Sequence, residues 1–163
     1  MTPEISRPVA VDRIGPAGID VTVKATPAEC DALAQRMQLP AVQSLTCRVH
    51  LARDAGGTLF AHGHLVARVV QTCVITLDDF EATVEDRFVL RCVPEGEETE
   101  DDDPETPDEI VSVGGMLDVG EVAAEQLALV LDPYPRAPGA ELPEMPDDPM
   151  DHGLAALGKL KRH

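Results

Sequence analysis

The stretch from Leu65 to Val93, LVARVVQTCVITLDDFEATVEDRFVLRCV, decides the fold. Its second half alternates. From Phe80 to Cys92 the even positions are Phe80, Ala82, Val84, Asp86, Phe88, Leu90 and Cys92; the odd ones are Glu81, Thr83, Glu85, Arg87, Val89 and Arg91. A period of two puts one face of a strand on a core and the other in water. The first half, Leu65 to Thr76, is apolar on both sides and predicts a central strand. Leu77-Asp78-Asp79 is the expected turn between them.

Working back from this pair, Leu45, Cys47, Val49 and Leu51 alternate with Thr46, Arg48, His50 and Ala52, which predicts a half-buried strand over 42–53. Asp54-Ala55-Gly56-Gly57 is a hairpin turn, since glycine takes positive φ without a steric penalty. The following strand runs from near Thr58 to about Gln71 and on into the central stretch. Three long strands with short turns make an antiparallel meander. Upstream, Val9–Val11 and Ile19–Ala25 read as short strands around Gly15-Pro16-Ala17-Gly18. A helix then starts at Thr26, with Pro27 at its first position and Glu29 completing a capping box. It is expected to reach about Met37, with Ala28, Leu33, Ala34 and Met37 inward.

Downstream, Glu95 to Glu109 holds ten acids and no basic residue, the composition of a solvated loop. Ile110, Val111 and Val113 return as a short strand at the sheet edge. Leu117–Leu131 predicts a second helix, with Asp118 as N-cap, Glu121 at the capping-box position and Leu117 with Val122 as a hydrophobic staple. Val119, Val122, Ala123, Leu127, Val130 and Leu131 form its apolar stripe. Six of the fourteen prolines lie between Pro133 and Pro149, which is linker composition. The expected architecture is therefore α+β. An antiparallel sheet of about five or six strands and two principal helices occupy residues 1–132. A Pro-rich linker and a short basic segment occupy 133–163.

The formal charge of −17 is unevenly spread. Residues 1–94 carry a net −2, residues 95–151 a net −18, and the last twelve a net +3. Phosphate backbones attract Lys and Arg, so the acidic half disfavours non-specific nucleic-acid binding by the whole chain and favours a basic protein partner. With no Trp, one Tyr and three Phe, stacking platforms for single-stranded nucleic acid are scarce. No apolar run is long enough to span a membrane, and the N-terminus lacks the pattern of a signal peptide, so a cytoplasmic protein is expected.

Cys30, Cys47, Cys73 and Cys92 are widely spaced, as reduced and buried thiols would be. Cys73 stands apart from them at a strand end. His62 and His64 share one strand face at a spacing that could hold a metal, but two ligands without a third also describe a plain polar face. Neither a nucleophile elbow nor a phosphate-binding or dinucleotide-binding glycine motif is present, and no cofactor is expected.

Three landmarks give a family likeness. Val69–Phe88, VVQTCVITLDDFEATVEDRF, resembles a block built on a Cys (here Cys73), an acid-bearing turn and a Phe (here Phe80) in the YceD family, the large ribosomal RNA subunit accumulation proteins. Met116–Gly139, after an acidic insert, is similar to that family's helix motif, and Leu154–Lys161, LAALGKLK, to its closing segment. Many members carry a second Cys three residues after the first; here that position is Thr76, and Cys73 is alone. The resemblance implies a bacterial protein of ribosome biogenesis that supports synthesis, processing or accumulation of large-subunit ribosomal RNA.

Joined to the charge split, this predicts a non-catalytic interaction protein for a basic ribosomal protein or a processing factor. Contact is expected from the helix face bearing Asp118, Glu121 and Glu125 and from the tip with Leu154, Leu157, Lys159, Leu160 and Lys161. Capping and solvation account for the same helix acids. The alternatives are an RNA-processing enzyme built on His62 and His64, and an RNA-binding module using Arg48, Arg53, Arg68, Arg87 and Arg91 on the sheet.

Overall fold

A computed structural model describes residues 4–98 and 104–140. In chain order these form β1 (Pro8–Ala10), β2 (Ile19–Lys24), α1 (Pro27–Met37), β3 (Ala41–Arg53), β4 (Leu59–Thr72), β5 (Asp79–Pro94), β6 (Asp108–Ser112), β7 (Met116–Asp118) and α2 (Val119–Val130). Five strands make one sheet in the order β2-β3-β4-β5-β6, and β1 pairs with β7 in a separate two-stranded sheet. The expected α+β class is what the chain adopts.

The alternation in the opening stretch sets the layers. On β4 every odd residue from Leu59 to Gln71 is buried, while Phe88, Leu90 and Cys92 bury the matching phase of β5. Both helices close this face: Leu33 and Ala34 of α1 and Val122, Ala123 and Leu127 of α2 share one core with Leu65, Val69 and Leu90. Each fully buried leucine, such as Leu33, Leu45, Leu65 or Leu127, contributes about 2 kcal/mol from the apolar surface removed from water. Gly63 lies opposite Phe88 in the ladder, and a Cβ there would sit 2.0 Å from the Phe88 ring. The missing side chain is the space that the ring fills.

Local signals were followed closely where they were short-range. Thr26 and Glu29 form the reciprocal capping box of α1, with Pro27 inside the first turn. Asp54 accepts bonds from the amides of Gly56 and Thr58, and Gly57 takes φ +82° in the hairpin turn. β3 and β4 match the predicted strands, and β4 is the middle strand of the sheet.

Several expectations are corrected. β1 and β2 do not pair around Gly15–Gly18; a 3-10 turn at Val11–Arg13 separates them, and they join different sheets. Ala28 is exposed, and Cys30 takes the inner position of α1. β4 stops at Thr72, so the turn spans 73–78: the Cys73 amide bonds Asp78 O, and the Leu77 amide bonds Cys73 O with Leu77 at φ +63°. β6 reaches the sheet edge as expected but runs parallel to β5. A parallel neighbour needs a crossover of a dozen or more residues, and the acid-rich connection 95–107 supplies it. Asp108 and Glu109 therefore stand in a strand. Leu117 belongs to β7, and α2 starts only at Val119.

Candidate functional site

The acids at the start of α2 are positioned by three chain segments. Asp118 ends β7 with an extended backbone and caps α2 by accepting the Glu121 amide. The same carboxylate accepts the Arg7 amide and the Ser6 hydroxyl, both at 2.7 Å. Burial pushes its pKa up, but these bonds outweigh burial and hold it below the ordinary range. The next residue but one makes the approach possible: a Cβ on Gly120 would meet the backbone of Ile5, Ser6 and Arg7 at 2.9–3.0 Å. Asp118 is thus a clasp between the N-terminal segment and α2.

Glu121 does not complete the predicted capping box. Its carboxylate turns to Arg36 on α1, which also reaches Glu4. A parallel pair links Arg7 to Glu29, whose pKa is lowered to about 2, first by its bond with Arg7. Ser6, Arg7, Glu4 and Arg36 carry no local signal for these roles, since their partners lie far away in the chain. Glu125, one turn beyond Glu121, is exposed and has no ion-pair partner among the described residues; burial and then the charge of Glu121 raise its pKa.

These acids line a groove of about 660 Å³ between β6, β7 and α2, with Glu109 on its far wall and Val113 and Met116 exposed beside it. Glu109 is paired with Arg91 of β5. The connection 95–107 leads into β6, and its first residue is tied to the far end of that strand by the bond from Glu95 N to Ser112 O. Leu154, Leu157, Lys159, Leu160 and Lys161 lie outside the described residues.

The opposite face of the sheet carries the cations. Register places Thr22, Arg48, His64 and Arg87 in one row across β2, β3, β4 and β5, and Asp20, His50, His62 and Val89 in the next. His50 bonds Asp20 at 2.7 Å and His64 bonds Glu85 at 2.6 Å. Of the five strand arginines singled out, Arg53 donates to the carbonyls of Val11, Ile14 and Gly57, Arg68 faces Glu81, and Arg91 holds Glu109. Arg48, Arg87 and His62 have no hydrogen-bond or ion-pair partner among the described residues. Among those residues, no cluster of three or more His, Cys, Asp or Glu side chains could hold a metal ion.

Cys73 lies fully buried at the start of the 73–78 turn. The backbone amide of Ala137, the Thr76 hydroxyl and amide, and the Ile75 amide aim at its sulfur and draw its pKa down to about 7. Thr76 N lies 3.4 Å from that sulfur. The segment after α2 covers it, held by Val74 N to Pro135 O and Gln71 Nε2 to Asp132 O. Phe80 is half-buried, opposite Gln71. Cys30, Cys47 and Cys92 are buried and unpaired, and burial pushes each of these thiols up.

Among the described residues, no helix is long and apolar enough to cross a membrane. A family model described as "Large ribosomal RNA subunit accumulation protein YceD" matches residues 61–161, from β4 through α2 and beyond. No curated protein and no solved structure matches the chain.

Proposed function

The chain belongs to the YceD family, the large ribosomal RNA subunit accumulation proteins, and from that premise we propose that it is a non-catalytic interaction protein of the bacterial cytoplasm that engages a basic protein partner during large-subunit assembly. The family is named for accumulation of an RNA and not for a reaction. One observation carries the partner reading. The groove between β6, β7 and α2 sets exposed Val113 and Met116 beside Glu125, and the acid-rich connection is bonded to β6 at its first residue, Glu95 N to Ser112 O. An apolar floor with an acidic rim suits a partner segment that mixes apolar and basic side chains.

Within the helix face, Asp118 and Glu121 are used internally, so the charge offered to the partner centres on Glu125 and the connection. The C-terminal Leu154, Leu157, Lys159, Leu160 and Lys161 form a second, basic contact in this reading.

The test uses RNA-free ribosomal proteins extracted from the large subunit, passed over the immobilised full chain. Basic ribosomal proteins are retained and released by salt. A chain with Glu95, Glu97, Glu98 and Glu125 changed to Gln retains much less of them. Equal retention by this variant, or retention only when RNA is restored, sinks the partner reading.

A further inference from the structure

The geometry points to a second binding surface on the outer face of the sheet, a track for single-stranded RNA centred on Arg48 and Arg87. It does not rest on the partner reading above. Three observations converge on it.

The first is the row itself. Arg48 and Arg87 stand on either side of His64, two strand spacings or about 9.5 Å apart. Two cations in one row of an open sheet face offer a matched attraction to a phosphate chain laid across the strands. Every other arginine on β3–β5 is committed to a carboxylate or to carbonyls, and these two are exposed without a partner among the described residues.

The second is what lies beside them. On β4, Phe60, His62 and His64 follow one another at every second residue, about 6.8 Å apart, on the same outer face. Phe, His and Arg planes are the side chains on which unpaired RNA bases stack, and an open sheet face is one established way to present them. That combination favours a strand of nucleotides over a lone anion.

The third concerns the acidic half of the chain. Asp20 and Glu85 are the acids that flank the row on this face, and each is held by a histidine. The acidic connection leaves β5 at Glu95, roughly 26 Å along the strand from Arg87, and returns at Asp108 on the edge strand, opposite Leu90. The departing end is several Debye lengths (about 8 Å each at physiological ionic strength) from the arginines and is screened there, and at the returning end Glu109 is held by Arg91. A net charge of −17 therefore does not forbid this local site.

The experiment is fluorescence anisotropy of a labelled oligouridylate of about twelve nucleotides with the full chain. Binding weakens with salt at a log–log slope of roughly −1.4, the value for two phosphate contacts on a single strand. Arg48→Gln with Arg87→Gln lowers affinity at least tenfold and flattens the slope, while Arg68→Gln binds as the natural chain does. His62→Ala lowers affinity about fivefold without changing the slope, as loss of a stacked base requires. Circular dichroism confirms that each variant is folded. No binding, equal binding by the double arginine variant, or full displacement by millimolar inorganic phosphate at constant ionic strength would overturn the proposal.

Discussion

Arg36 of α1 grips Glu121 of α2 with both terminal nitrogens, Nη2 to Oε1 at 2.8 Å and Nη1 to Oε2 at 3.1 Å. A helix acid that local spacing assigns to a cap thus ties two helices together instead. The pair is about a third open to water, so its contribution is modest. Glu121→Ala is expected to lower stability by about 1 kcal/mol, with Arg36→Ala giving a similar loss and the double variant less than the sum. Urea unfolding of the three variants measures this coupling.

Asp118 does more for the fold than Glu121. Its carboxylate caps α2 and anchors Ser6 and Arg7, so Asp118→Ala removes a cap and strands polar groups of the N-terminal segment. A loss of about 2–3 kcal/mol is expected. Asp118→Asn, which keeps the acceptor oxygen, recovers part of it. Hydrogen exchange at the Arg7 amide separates anchoring from capping, because only the anchor protects that amide.

Acid destabilises this protein in a defined window. Glu29 is held at about 2 in the fold against its ordinary 4.5, so its bond with Arg7 contributes fully above about pH 4.5 and is lost as pH falls towards 2. Asp118, also lowered, acts in the same sense. Glu125, raised, acts in the opposite one. Glu29→Gln is expected to remove about 1 kcal/mol at neutral pH and to flatten the acid limb of the stability curve. Unfolding midpoints between neutral and acid pH provide the comparison.

Gly63→Ala places a Cβ 2.0 Å from the Phe88 ring, and β4 is paired on both sides and cannot step away. Overpacking of this kind costs about 1–3 kcal/mol. Phe88→Leu in the same chain relieves part of the clash, so the double variant is more stable than additivity allows. A thermal melt of the four chains decides it.

What was legible beforehand was governed by local chemistry. The period of two over Phe80–Cys92, the Thr26–Glu29 box, the Asp54–Gly57 turn and the Asp118 cap each depend on residues a few positions apart, and all four stand in the structure. Local pattern puts the turn at 77–79, because Ile75 and Thr76 read as strand residues. The chain leaves the ladder earlier, held by amide bonds and the covering segment 132–137.

By itself the sequence determined the long strands, the two helices and most of their inward positions, because burial and hydrogen bonding repeat with the period of the backbone. It also determined the charge split, which is a sum over composition. Only the tertiary structure decided which charges are available. Arg7 meets Glu29, Arg36 meets Glu121, Arg91 meets Glu109, and Arg48 and Arg87 are left together in one row. Ion pairing depends on distances of a few ångströms between residues far apart in the chain, and no local period encodes those.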